Sequence, residues 1–175
     1  MTVNPLLVQA IGFGGTILFF LSYQCKRNKN LFRVQLVSYL CYTVHLLLLG
    51  AVTGGISYML NTLRSFCLGS RSAFLKGKMM CYCICILQVI TLFLTGEGWW
   101  SILPVAANIA ATISGYTGNP RKIRVVGIFI NSPMWIVYSV LVDSWAGVLD
   151  EIVTEASMLL SIWRYGWKNL DVIDN

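Results

Sequence analysis

Apolar stretches of about 20 residues, the length that crosses a bilayer as a helix, follow one another along this chain with only short polar breaks between them. They fall at residues 5–25, 33–51, 54–70, 79–96, 99–117, 123–142 and 145–163, separated by KRNKN, GAVTGG, SRSAFLKGK, TGEGWW, GNPRK and VDSWAG. Hydrophobic side chains make up 57% of the 175 residues and charged ones 11%, with a mean hydropathy of +0.70. That is more apolar surface than a soluble domain of this size can hide. The pattern predicts an all-α, polytopic membrane protein whose chief partner is the lipid bilayer, with no room for a soluble catalytic domain. The opening MTVNPLLVQAIGFGG lacks the positive leading region and small-residue cleavage site of a secretory signal, so it reads as a retained first span.

Charge is distributed as a topology signal. Lys26, Arg27, Lys29 and Arg33 follow the first run, Arg71, Lys76 and Lys78 the third, Arg121, Lys122 and Arg124 the fifth, and Arg164 and Lys168 the seventh. The other breaks carry no basic residue and hold Glu97 and Asp143. Positive residues stay on the cytoplasmic side, so the N-terminus is expected outside and the C-terminus inside. Twelve of the thirteen basic residues obey the rule, and the exception is Arg64. A net charge of +6 spread in this way does not make a nucleic-acid face, which would gather on one wetted surface. Of the six cysteines, Cys81, Cys83 and Cys85 form CYCIC, but on a helix Cys81 and Cys85 share a face while Cys83 points away. They read as small packing residues. No nucleophile elbow, phosphate-cradling glycine loop or zinc spacing appears, so no enzyme, cofactor or metal is expected; GFGG and TGG read as close helix contacts.

Three spans, one linker and three spans invite a test for a parallel repeat. A shift of 90 residues lays His45 on Trp135 and Asn61 on Glu151, with LFR at 31–33 one residue out of phase with KIR at 122–124. The predicted organisation is one membrane domain: residues 1–72 as the first three-helix repeat, 73–97 as the linker, 98–166 as the second repeat and 167–175 as a polar cytoplasmic tail.

The stretch WIVYSVLVDSWAGVLDEIVTEASMLLSIWRY, residues 135–165, resembles the last two helices of a SWEET or PQ-loop transporter repeat. Over almost its whole length the chain also resembles the YgjV family of bacterial inner-membrane proteins, through KRNKNLFRVQL, VHLLLLGAVTGGISYMLN, LPVAANIAATIS and the WxxYS-to-Glu stretch. The resemblance implies two SWEET-like three-helix bundles in a bacterial inner membrane, with a solute path between them. Carried over by position, the transporter family's pocket asparagines correspond to Asn61 and Glu151. Its pocket tryptophan corresponds to Trp135, with His45 at the equivalent place in the first half. The Pro-Gln pair of PQ-loop proteins is replaced by Tyr23-Gln24 and by Tyr116-Thr117, which leaves Pro104 and Pro133 as the mid-span kinks.

Arg64 lies about 15 Å deep by helical rise, and Glu155 about the same. A guanidinium there needs a partner or a polar cavity. Glu151 and Glu155, four apart, share a helical face, as do Asn61 and Arg64, three apart. Arg64 is therefore expected to pair with Glu155 or Glu151. The acid left without the arginine would be a proton acceptor, since desolvation disfavours its charge. Asn108 and Asn131 are expected to bond between helices; Trp99, Trp100, Trp145, Trp163 and Trp167 belong to aromatic belts. The expected substrate-binding set is Asn61, Arg64, Trp135, Glu151, His45 and Glu155, in a carrier for a polar or charged metabolite, working alone as a uniporter or coupled to protons. A homo-oligomer is compatible with this but not required. The other reading is a non-transporting subunit or sensor whose intramembrane charges are structural.

Overall fold

A computed structural model describes residues 5–25, 28–95, 98–142 and 144–167. Lys26, Arg27, Glu97, Asp143 and Lys168, which enter the topology argument, lie outside the described residues, as does the tail beyond Trp167. The described residues form seven helices: α1 (Pro5–Tyr23), α2 (Asn28–Leu48), α3 (Val52–Gly69), α4 (Lys78–Thr95), α5 (Ile102–Tyr116), α6 (Pro120–Leu141) and α7 (Trp145–Tyr165). Each expected apolar run is a helix, though α2 starts five residues early and α6 three. Their first turns are polar and cost nothing to expose, so a hydropathy template passes over them. At the start of α6 the local chemistry is explicit. Asn119 Oδ1 accepts from the backbone N–H of Arg121 at 2.9 Å and of Lys122 at 3.2 Å, and Pro120 fills the first helical position, where its missing N–H is harmless.

Three of the helices, Lys29–Leu48, Lys78–Thr95 and Pro120–Leu141, are long and apolar enough to cross a membrane, and Leu7–Tyr23 is a shorter apolar helix. The remaining helices dilute their hydropathy with polar residues, and those residues point inward. Among the described residues, 26 buried side chains are polar or charged against 20 that are hydrophobic. Outward lie Phe13, Ile17 and Leu21 of α1, Tyr82, Ile86, Ile90, Phe93 and Leu94 of α4, and Leu149, Ile152 and Leu159 of α7. A soluble protein has the opposite distribution. An interior more polar than the exterior is what a bundle in hydrocarbon requires, because lipid accepts apolar side chains and satisfies no hydrogen bond.

The helices close a ring in the order α1, α2, α3, α5, α6, α7 and back to α1, while α4 packs outside it against α3 and α5. Hydroxyls and amides hold the seams. Ser38 Oγ of α2 donates to the Gly15 carbonyl of α1 at 2.7 Å, and Ser157 Oγ of α7 donates to the Phe20 carbonyl of α1 at 2.7 Å. Gln24 Nε2 reaches Ser157 Oγ at 3.0 Å, and Tyr165 Oη donates to the Gln24 carbonyl at 2.6 Å. Gln24, at the Pro-Gln position of the PQ-loop resemblance, thus ties α1 to α7. Arg124, read from the sequence as a topology charge, is 1% exposed and fully engaged: Nε donates to Ser161 Oγ at 2.8 Å, Nη1 to the Pro120 carbonyl at 3.2 Å and Nη2 to the Tyr23 carbonyl at 3.5 Å. The last contact sets a cation on the carbonyl end of α1, where the helix dipole favours it.

Two breaks of regularity shape the centre. Residues Gly127–Asn131 of α6 are wound as a π-helix, and the Ser132 N–H reaches back to the Gly127 carbonyl. Pro133 follows directly; its ring crowds the carbonyl four residues back and it has no N–H to donate, so a widened turn before it relieves the clash. In α1 the glycines of GFGG act selectively. A Cβ on Gly15 would sit 2.6 Å from the Tyr42 ring and one on Gly12 3.0 Å from the His45 ring, whereas Gly14 faces open space. Tyr42 is 1% exposed and cannot swing aside. Gly15→Ala is therefore expected to lower stability by about 1–3 kcal/mol, the usual cost of overpacking, and Gly14→Ala to leave it unchanged. Thermal unfolding of the two variants in one detergent measures the difference.

Candidate functional site

Three small cavities succeed one another along the interior of the bundle. The central one, about 20 Å³, is lined by Phe19, Tyr23, Tyr39, Tyr58, Asn61, Asn131, Trp135, Asp150, Glu151 and Thr154. Toward the N-terminal ends of α2 and α6 lies a second of about 30 Å³, with Gln35, Arg64, Ser114 and Gly127 on its walls; it shares Tyr23, Tyr39 and Asn131 with the first. Toward the opposite end lies a third of about 10 Å³, lined by Tyr42, Leu46, Tyr138, Val142 and Gly147, which shares Tyr58 and Trp135 with the centre. The central space has room for about one water and the second for about two. Aromatic side chains partition the file: Tyr39 below the centre, and above it Tyr58 against Trp135, with ring centroids 4.7 Å apart.

Helix periodicity explains which side chains reach the centre. The buried face of α7 carries Asp150, Glu151, Thr154, Ser157, Met158 and Ser161, a spacing of one, three and four residues that is one stripe of a helix. Glu155, four beyond Glu151, falls at the edge of that stripe; it is partly exposed and lines none of the three cavities. On α3 the buried stripe brings Tyr58, Asn61, Arg64 and Ser65 inward. The widened turn of α6 places Asn131 on the walls of two cavities at once.

The central hydrogen-bond node is built on Asn108 of α5. Asn61 Nδ2 donates to Asn108 Oδ1 at 2.8 Å, and Trp135 Nε1 donates to the same oxygen at 3.3 Å. One amide therefore fastens α3 and α6 to α5 and fixes the plane of the Trp135 indole, which is 3% exposed. Several polar atoms around it have no partner: Asn61 Oδ1, Asn131 Oδ1, Asp150 Oδ1, Glu151 Oε2 and Thr154 Oγ1. Asp150 lies within reach of the Tyr42 and Thr16 hydroxyls, which are themselves 2.6 Å apart. Glu151 lies near Ser132, but neither Ser132 Oγ nor Glu151 Oε2 closes a hydrogen bond.

The expected pairing of Arg64 with Glu151 or Glu155 is not made. Arg64 Nη2 donates to Tyr39 Oη at 2.8 Å, and its guanidinium carbon lies 5.5 Å from the Tyr39 ring centroid. Among the described residues Nε and Nη1 have no partner. The reason is the phenol: Tyr39 stands on the wall between the cavity of Arg64 and that of the acids, and takes the contact a carboxylate would have taken. Of the expected set, Asn61, Trp135 and Glu151 thus meet around one cavity, Arg64 occupies the adjoining one, and Glu155 stands aside. His45 stands aside as well. Its Nδ1 donates to the Val8 carbonyl at 2.8 Å and its ring packs edge-on to Tyr42, so it ties α2 to α1 away from the cavities. Sequence reasoning missed Asp150, Tyr39, Tyr23, Tyr58 and Thr154. For Asp150 the signal was present as an acid next to Glu151 in a membrane-length helix.

Lipid-facing apolar side chains, helices of membrane-crossing length and a polar interior define an integral helical membrane protein. The chain belongs to the Imp-YgjV family, bacterial inner membrane proteins, whose model matches residues 6–169. No curated protein and no solved structure matches it. A membrane-embedded role in the bacterial inner membrane follows from the family.

Because Tyr39 is the one side chain among the described residues that bonds the Arg64 guanidinium, Tyr39→Phe is expected to cost about 1.5–3 kcal/mol, the range for a hydrogen bond to a charged group. Glu155→Gln, at the edge of the stripe, should stay within about 0.5 kcal/mol of the parent protein. Denaturation of the purified variants under matched conditions distinguishes the two.

Proposed function

We propose that the protein is a small-solute carrier, not an enzyme, in which all seven helices cross the membrane with the N-terminus outside and the C-terminus inside. Residues 1–72 and 98–166 form two SWEET-like halves related by an axis along the membrane normal, and α4 is the linker between them. The solute is a polar or charged metabolite, held at the centre by Asn61, Trp135 and Glu151, with Arg64 next to them on its path. The observation that carries this reading is the file of cavities, walled by helices of both halves and interrupted only by aromatic side chains. A bundle built for stability alone has every reason to fill such a line with apolar atoms, since unsatisfied polar groups in a low-dielectric interior are costly.

Alternating access fits the arrangement. Rocking one half against the other separates Tyr58 from Trp135 on one side, or opens the Tyr39 wall on the other, while the Asn61–Asn108–Trp135 node stays as the fixed point between them. Both cavities nearest the centre hold only a water or two, so a solute-sized space requires such a motion. The same small volumes favour the second reading, a non-transporting subunit whose polar residues set helix register. Glu151→Gln separates the two.

Uptake of a metabolite library into proteoliposomes tests the proposal. One or more solutes are expected to accumulate, with uptake reduced at least about tenfold, the effect of roughly 1.4 kcal/mol, in Glu151→Gln and Asn61→Ala proteins that remain folded. Glu155→Gln should transport normally. If no solute moved and a thermal-shift screen of the same library were flat, the carrier reading would be abandoned.

A further inference from the structure

We propose that the central cavity is a binding site for one monovalent metal cation, with the Asp150 and Glu151 carboxylates as its charged ligands and Asn61, Asn131 and Thr154 as its neutral ones. The unpartnered atoms on this cavity are Asn61 Oδ1, Asn131 Oδ1, Asp150 Oδ1, Glu151 Oε2 and Thr154 Oγ1, all oxygens and four of them acceptors only. Asn61 is 3% exposed, Thr154 5%, Asp150 1% and Glu151 5%, so bulk water does not satisfy them. A space of about 20 Å³ takes about one water, and one water has two protons to donate against four waiting acceptors. A bare cation of the same size satisfies all the oxygens together, and oxygen ligands of this kind suit hard cations.

The charge is set by the neighbours. Neither carboxylate contacts a guanidinium, since Arg64 is bonded to Tyr39 and Arg124 to Ser161, Pro120 and Tyr23. Adjacent carboxylates with no counter-ion in contact repel one another, and a cation between them removes that repulsion. At longer range the two guanidinium groups already balance the two acids. A monovalent ion then leaves one positive charge in excess and a divalent ion two, and the desolvation cost of an ion rises with the square of its charge. Monovalent loading is the consequence. The aromatic walls, Phe19, Tyr39, Tyr58 and Trp135, screen the site from lipid and present ring faces that tolerate a cation. An anion at this point would meet two carboxylates. Such an ion is suited to couple the movement of a solute, but its binding does not depend on the transport reading.

The purified full-length protein in detergent provides the test, at fixed pH and ionic strength with N-methyl-D-glucamine chloride as the background salt. Replacing that salt stepwise with sodium chloride or potassium chloride should raise the unfolding temperature saturably for one ion more than for the other, with no saturable shift from choline chloride. Asp150→Asn and Glu151→Gln, which keep shape and lose charge, should each move the half-saturating concentration at least tenfold, Asn61→Ala less, and Glu155→Gln not at all. Where a variant does not fold, direct binding of ²²Na⁺ or ⁸⁶Rb⁺ to the unaltered protein, displaced by the unlabelled ion, gives the same answer. Equal shifts with sodium, potassium and choline and no displaceable isotope would overturn the proposal, as would an undiminished ion response in both acid variants. A stability that followed pH alone would assign the carboxylates to a proton instead and also overturn it. Solute uptake is not measured in this experiment, so its failure leaves the carrier reading standing.

Discussion

Hydrocarbon provides no hydrogen bond, and this fixes where every polar group of the chain goes. A helix in lipid satisfies its own backbone, so the sorting falls on side chains: apolar ones outward at no cost, polar ones inward where another helix can meet them. Ser, Thr, Asn and Gln accordingly occupy the seams, and the bonds of Ser38 to Gly15, Ser157 to Phe20 and Asn61 to Asn108 are the contacts by which helices recognise one another. Packing then makes this possible only where the backbones approach closely, as at Gly15 against Tyr42.

The same constraint makes the two buried arginines different. Arg124 sits one turn into α6, where the carbonyl ends of α1 and of its own first turn are within reach, and all three nitrogens find oxygen. It behaves as a clamp on α1, α6 and α7. Arg64 sits mid-helix, where neighbouring carbonyls are already taken by the helix ladder, so only a side chain can serve it. Tyr39 supplies a hydroxyl and a ring face, which leaves two nitrogens, Nε and Nη1, without a partner among the described residues, beside a cavity.

The helices were legible because length and apolarity over some 20 residues are local properties of sequence. The site was legible only in part. Asn61, Trp135 and Glu151 could be placed by offset and resemblance, since the question there is which residues occupy equivalent positions. The Arg64 partner could not, because it depends on how α2 is rotated against α3, and a tyrosine at residue 39 looks like one more apolar residue in a hydropathy profile. Glu155 was misjudged by a small angle: four residues turn a helix by about 40° past a full circle, enough to carry it from the inner stripe to its edge while Asp150 and Thr154 come in. His45 entered the expected set because the 90-residue shift lays it on Trp135, whereas its Nδ1 is committed to the Val8 carbonyl.

At the centre of the ring a single amide gathers three helices. Asn108 Oδ1 of α5 accepts from Asn61 of α3 and from Trp135 of α6, and the acids of α7 face the same space. One carbonyl oxygen has two lone pairs, so it serves both donors at once. The widened turn of α6 contributes the complementary property. A π-turn shifts by one hydrogen-bond register more readily than a regular helix, and here it carries Asn131, which faces both the acid cavity and the arginine cavity. A fixed node beside an adjustable turn places the compliance of the bundle on α6 and its geometry on α5.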